Sequence, residues 1–185
     1  MEIIKTEIPG LLVIKPRIFP DERGYFFECY NQDRYQKEGI ESQFIQDNEA
    51  ESTFGVIRGL HYQLNPFAQA KLVRVIKGRV YDVAVDIRKG SPTFGKWYGI
   101  ELSEENKHQL YVPRGFAHGY SVLEDNTIFS YKCDNLYTPD KEASIIFNDP
   151  TLNIDWKIPA EKQLVSEKDF KCPTFENAII NFKYE

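Results

Sequence analysis

A chain of 185 residues with 42% hydrophobic and 28% charged residues can build one sizeable core and is short for two independent domains. Its 23 basic and 28 acidic side chains leave a net charge of −5, which argues against a nucleic-acid surface built on bulk positive charge but not against a small anionic ligand held by a few local cations. MEIIKTEIPG lacks the basic segment and long apolar stretch of a signal peptide, and no run approaches the roughly 18 apolar residues that span a bilayer, so a cytoplasmic protein without membrane contact is expected.

Cys29, Cys133 and Cys172 are odd in number, widely spaced and without a CxxC pair, which speaks against a disulfide framework or a Cys-rich zinc site. Along the chain, apolar residues alternate more often than they recur at helical spacing. Short strand-like runs occupy 10–19, 24–30, 43–48, 56–63, 71–77, 79–88, 97–102, 108–112, 118–123, 127–133 and 143–147. In the clearest, RVYDVAVDIR (79–88), Tyr81, Val83, Val85 and Ile87 share one face while Asp82, Ala84, Asp86 and Arg88 share the other. Turn residues separate the runs, as at Lys77-Gly78, Pro113-Arg114-Gly115 and Asp149-Pro150. Helix is scarce: Asn31 can cap a short one over 32–38 that Gly39 ends, and Ser103–Asn106 reads as one helical turn. The expectation is one all-β domain over 1–185, a jelly-roll barrel or sandwich with a core near 45–150 and extensions at both ends.

The run VIRGLHYQ (56–63) places Arg58 and His61 inside an otherwise apolar strand, although the chain has only three histidines, His61, His108 and His118. Three residues apart on an ideal strand, Arg58 and His61 face opposite ways; Gly59 offers a bulge that would turn both inward. In PRGFAHGY (113–120) a Pro-x-Gly turn delivers His118, and this segment resembles the second conserved segment of the cupin superfamily of small β-barrels. Metal-binding cupins pair it with an earlier His-x-His and a carboxylate. Here that segment reads His61-Tyr62-Gln63, too few ligands for a transition metal, so no metal is expected.

A closer resemblance rests on RGLHYQ (58–63), AQAKLVRVIKGRVYDVAVDIRKGSPTFG (68–95), LSEENKHQLYVPRGFAHGY (102–120), YKCDNLYTP (131–139), NDPTLNIDW (148–156) and SEKD (166–169). In order and spacing these are similar to the dTDP-4-dehydrorhamnose 3,5-epimerases, cofactor-free cupin-fold enzymes that are usually homodimers. The resemblance implies inversion of C3 and C5 of dTDP-4-keto-6-deoxyglucose, giving dTDP-4-keto-L-rhamnose. A C4 ketone acidifies the protons at both carbons, so the reaction needs a base on one face, an acid on the other and a cation at the enolate oxygen. By the resemblance His61 is the base, Asp169 its support, Tyr131 the acid and Lys71 the cation. It further implies that Arg23, Arg58, His118 and Lys168 hold the sugar and diphosphate. Glu28, Gln46, Asn48 and Glu142 would be polar contacts, with Phe26 and Tyr137 flanking the thymine.

One segment departs from the family pattern: NEAES (48–52) has Ala50 where serine is common and adds Glu49 and Glu51, which bears on substrate choice. Mono-epimerases of antibiotic sugars keep the same His and Tyr, so single inversion is an alternative. A non-catalytic sugar-binding cupin and a metal-dependent cupin oxygenase are two others.

Overall fold

The computed structural model describes residues 1–184. Its elements in chain order are β1 (Glu2–Lys5), β2 (Leu12–Lys15), β3 (Phe19–Asp21), β4 (Gly24–Phe26) and helix α1 (Gln32–Lys37). Then follow β5 (Gln46–Ser52), β6 (Val56–Gln63), β7 (Lys71–Lys77), β8 (Arg79–Asp86), β9 (Trp97–Ser103) and β10 (Gln109–Val112). The chain continues through β11 (Phe116–Val122), β12 (Thr127–Cys133), β13 (Glu142–Ser144), β14 (Leu164–Val165) and the short helix α2 (Glu167–Phe170).

The strands form two sheets that face each other. One runs β1-β2-β10-β7-β12-β5; the other runs β13-β6-β11-β8-β9, with β14 added in parallel to β6. The all-β jelly-roll sandwich expected from the alternating pattern is the architecture found. Between the sheets lie Val13, Val73, Val75, Val80, Ala84, Leu110, Val122 and Phe129. Two further apolar layers cover the outer faces. The segment after β12 closes over Val83, Val85 and Ile87 with Ile145, Phe147, Trp156 and Phe182, and α1 lays Tyr35 beside Ile14, Ile40 and Leu72. Strand β8 is therefore buried on both faces, and its polar face (Asp82, Asp86) looks into the molecule instead of into water.

Asn31 caps α1 as expected, its side chain accepting the Arg34 N–H. The segment Ser103–Asn106 is a single turn, closed as a helical turn is by the Lys107 N–H donating to the Ser103 carbonyl at 3.1 Å. The Ser103 hydroxyl accepts the Asn106 N–H while the Asn106 side chain accepts the Ser103 N–H. The hairpin β3–β4 pairs only with itself and stands off both sheets. Among the described residues no helix is long and apolar enough to cross a membrane.

Candidate active site

Strand β6 carries the first functional side chains, and its register with β11 explains their direction. His61 pairs with His118 and Arg58 pairs with Tyr120, so three steps on β6 match two on β11. The extra residue is a bulge, and it puts Arg58 and His61 on the same face as His118 and Tyr120. Gly59 permits it: its φ is +120°, and a Cβ there would lie 2.6 Å from Gly119 Cα and 2.7 Å from the His118 carbonyl oxygen.

His61 Nε2 lies 2.6 Å from Asp169 Oδ1. An ionised carboxylate only accepts, so Nε2–H donates and Nδ1 is left as the basic nitrogen. Asp169 sits on α2, whose N-cap Ser166 accepts the Asp169 N–H at 3.1 Å. Burial works against ionisation of Asp169, but the bond and charge of His61, with Ser166 and the Gly59 backbone, hold its pKa below the usual value.

Lys71 and Tyr131 come from the opposite sheet, on neighbouring strands β7 and β12. The Lys71 ammonium is 5.7 Å from the Tyr131 ring centroid. Burial pushes Lys71 below the ordinary lysine pKa, opposed by Cys133, Asp82 and Glu142. Burial pushes the Tyr131 phenol up, so it keeps its proton at neutral pH.

His61, Lys71 and Tyr131 line both of two cavities, which meet there. The larger, about 700 Å³, also takes in Arg58, His118, Lys168 and Asp169. Its wall opposite β5 is apolar, with Val56, Leu164 and Phe170. The smaller, about 320 Å³, takes in Gln46, Asn48, Tyr137 and Glu142. Lys168 and Glu142 meet at 2.5 Å between them, and the Tyr137 hydroxyl donates to Glu142 at 3.2 Å. Burial opposes ionisation of Glu142, but Lys168 more than offsets it and lowers its pKa.

Arg23, Phe26 and Glu28 line neither cavity. Arg23 is engaged by Asp21 on the projecting hairpin, Phe26 is 69% exposed there, and Glu28 meets Asn31 and Arg34 by α1. On β5 the even positions Gln46, Asn48, Ala50 and Ser52 turn inward while Glu49 and Glu51 are exposed, so only Ala50 of the three departures touches a cavity. Among the described residues no group of three His, Cys, Asp or Glu side chains converges as metal ligands, and all three cysteines are free.

A family model described as dTDP-4-dehydrorhamnose 3,5-epimerase matches residues 5–177. The chain belongs to that family. The dTDP-4-dehydrorhamnose 3,5-epimerase of Shigella flexneri is 52% identical over 179 residues, covering 96% of this chain and 98% of its own. Among solved structures, the dTDP-6-deoxy-D-glucose-3,5-epimerase of Legionella pneumophila in complex with dTDP-4-keto-L-rhamnose superposes with a TM-score of 0.95 at 46% identity, covering 100% of this chain and 98% of that one. A 3'-monoepimerase of Streptomyces bikiniensis in complex with dTDP-quinovose matches at TM-score 0.84 and 32% identity, covering 91% and 85%.

Several residues in or just behind this epimerase-family cavity escaped the sequence reading. Ser52 accepts from Arg58 at 3.1 Å, and strict alternation along 46–52 would have found it. Tyr120 lines the larger cavity, stacked on Phe129 at 4.0 Å. Asp82 contacts His118; its alternating position showed it shared a face with Ala84, but not that this face is interior. Ser166 had a local signal, since Ser-x-x-Asp is a helix N-terminus pattern.

Proposed function

We propose that this protein inverts C3 and C5 of dTDP-4-dehydro-6-deoxy-D-glucose, giving dTDP-4-dehydro-L-rhamnose by proton transfer through an enolate. The observation that carries the proposal is a base and an acid on facing sheets of one cavity with a cation beside the acid: His61 backed by Asp169, then Lys71 and Tyr131. His61 Nδ1 removes the proton alpha to the ketone, and Asp169 stabilises the imidazolium that forms. Lys71 receives the negative charge on O4. Tyr131, protonated because it is buried, returns a proton from the opposite wall. After the first inversion His61 gives up its proton to solvent and Tyr131 takes one back, and the same groups act on the second carbon, since both flank one carbonyl.

Arg58 and Lys168 are the cations for the sugar and diphosphate, with His118 a further polar contact. Gln46, Asn48, Glu142 and Tyr137 hold the nucleoside at the smaller cavity. We assign residues 1–185 to a single domain with its barrel core at about 45–150, acting in the cytoplasm as a homodimer. Exposed apolar residues on the projecting hairpin, Phe19, Tyr25 and Phe26, support the dimer, and we assign Arg23, Phe26 and Glu28 to the nucleotide site of a second copy.

Incubation with dTDP-4-keto-6-deoxyglucose in deuterated water tests the reaction. Product with the L-rhamno configuration and deuterium at both C3 and C5 is expected. Deuterium and inversion at one carbon alone would make it a mono-epimerase, and absence of exchange would make it a binding protein.

A further inference from the structure

We propose that Asp82 is a positioning residue for this reaction, a buried counter-ion behind the cavity wall that fixes the ring of His118. It rests on the epimerase function proposed above. Asp82 lies on β8 with none of its surface exposed, and His118, on the neighbouring strand β11, is 6% exposed. Both carboxylate oxygens reach His118 Nε2, at 2.9 and 3.0 Å. Because a carboxylate accepts only, the proton sits on Nε2. No protein group bonds Nδ1 among the described residues, and the ring lines the larger cavity. Nδ1 is thus the nitrogen offered to a bound substrate.

The arrangement mirrors that of the base. His61 and His118 are direct cross-strand partners on one face. Each is held through Nε2 by a carboxylate from another element, His61 by Asp169 near the mouth and His118 by Asp82 below. The charge of Asp82 also opposes the effect of burial on the Lys71 ammonium.

A purely structural part for Asp82 is a poor physical explanation. The inner face there is apolar, with Val80, Ala84 and Phe129, and a buried ion pair is commonly no more stabilising than hydrophobic residues of the same volume. What the carboxylate contributes is orientation and charge. With its ring fixed, His118 offers Nδ1 as an acceptor for a substrate hydroxyl and holds the sugar in register with the Lys71 ammonium, the donor to the enolate oxygen, so no reorganisation is needed as the charge develops. The ketone ground state, being neutral, gains little from that ammonium. Loss of Asp82 should therefore fall on kcat and spare KM.

The test combines a spectrum of the unaltered protein with one substitution. Histidine-labelled wild-type protein, examined by ¹⁵N NMR, should show His118 protonated at Nε2. The Asp82→Asn protein keeps the shape but not the charge, and it should hold KM within about twofold. Its kcat should fall roughly ten- to hundredfold, less than the hundred- to thousandfold of deleting a donor outright. Deuterium exchange at C3 should fall in step with kcat. Exchange by the wild type together with kcat within twofold in a folded Asp82→Asn protein would overturn this role alone. If that variant does not fold, the wild-type spectrum decides, with a proton on Nε2 supporting the role and an unprotonated Nε2 overturning it. A wild type that exchanges no substrate hydrogen would overturn the epimerase function and this role together.

Discussion

Two charged side chains set opposite demands on the fold. Lys71 has a lowered pKa because burial disfavours its ammonium, so at neutral pH the folded state carries a penalty that the unfolded chain does not. Between the folded and unfolded pKa values the unfolded chain binds more protons, and stability rises with pH until the penalty is gone above about 10.5. Lys71→Met should accordingly raise the melting temperature at pH 7, by an amount that shrinks toward pH 10, while turnover falls roughly hundred- to thousandfold. Scanning calorimetry across pH beside steady-state rates would check both halves. Asp169 has the reverse sign. Its folded pKa is depressed by His61 in spite of burial, so its stabilisation is complete above the ordinary aspartate range and is lost as pH falls through the folded value. The Asp169→Asn protein should lose less stability than the wild type as pH falls below the ordinary aspartate value of 3.8, followed in urea titrations. Neither sign could be read from sequence, where Lys71 was a residue at a strand start and Asp169 a charge in a polar loop.

Elements supply the directions that residues cannot. Alternation located the strands well because each sheet has one face on the central core, and the Gly59 bulge was anticipated from the need to point Arg58 and His61 together. Its cost of removal can be measured: Gly59→Ala combines a positive φ with a collision against β11. It should destabilise the fold by roughly 2–4 kcal/mol and lower activity even where the protein is folded, since His61 loses its aim. Chemical denaturation with activity assays on the soluble fraction would test this. What alternation could not show is which face of β8 meets water. Both faces are buried, because the segment after β12 closes over the outer one, and so the importance of Asp82 stayed hidden. The helix α2 was equally obscure, as four residues of helix (Glu167–Phe170) leave too little periodicity to detect.

At the scale of the whole molecule, the site is a space between two sheets that far-separated segments close: His61 and Asp169 are 108 positions apart and meet at 2.6 Å. That juxtaposition was available beforehand only through the family resemblance, since no local pattern encodes it. The same resemblance grouped Arg23, Phe26 and Glu28 with the site, yet the hairpin holds the first two away from the chain's own cavities. The homodimer proposed above, if its hairpins are exchanged, would account for both facts. Mixing inactive His61→Asn protein with poorly active Arg23→Ala protein, under conditions where subunits exchange, should then restore activity, because one site of each mixed dimer is intact. Additive rates from the mixture would place the hairpin outside the catalytic unit.

The central claim is that base and acid act from facing walls, His61 on one sheet and Tyr131 on the other. Tyr131→Phe keeps the ring and its packing against Phe129 and removes the hydroxyl that carries the acidic proton. Solvent deuterium uptake and product stereochemistry, measured on the same sample of this protein, test the claim most directly. Exchange should persist, because His61 still reaches the enolate, while inverted product falls far more steeply. Equal loss of exchange and inversion, or full retention of both, would contradict it.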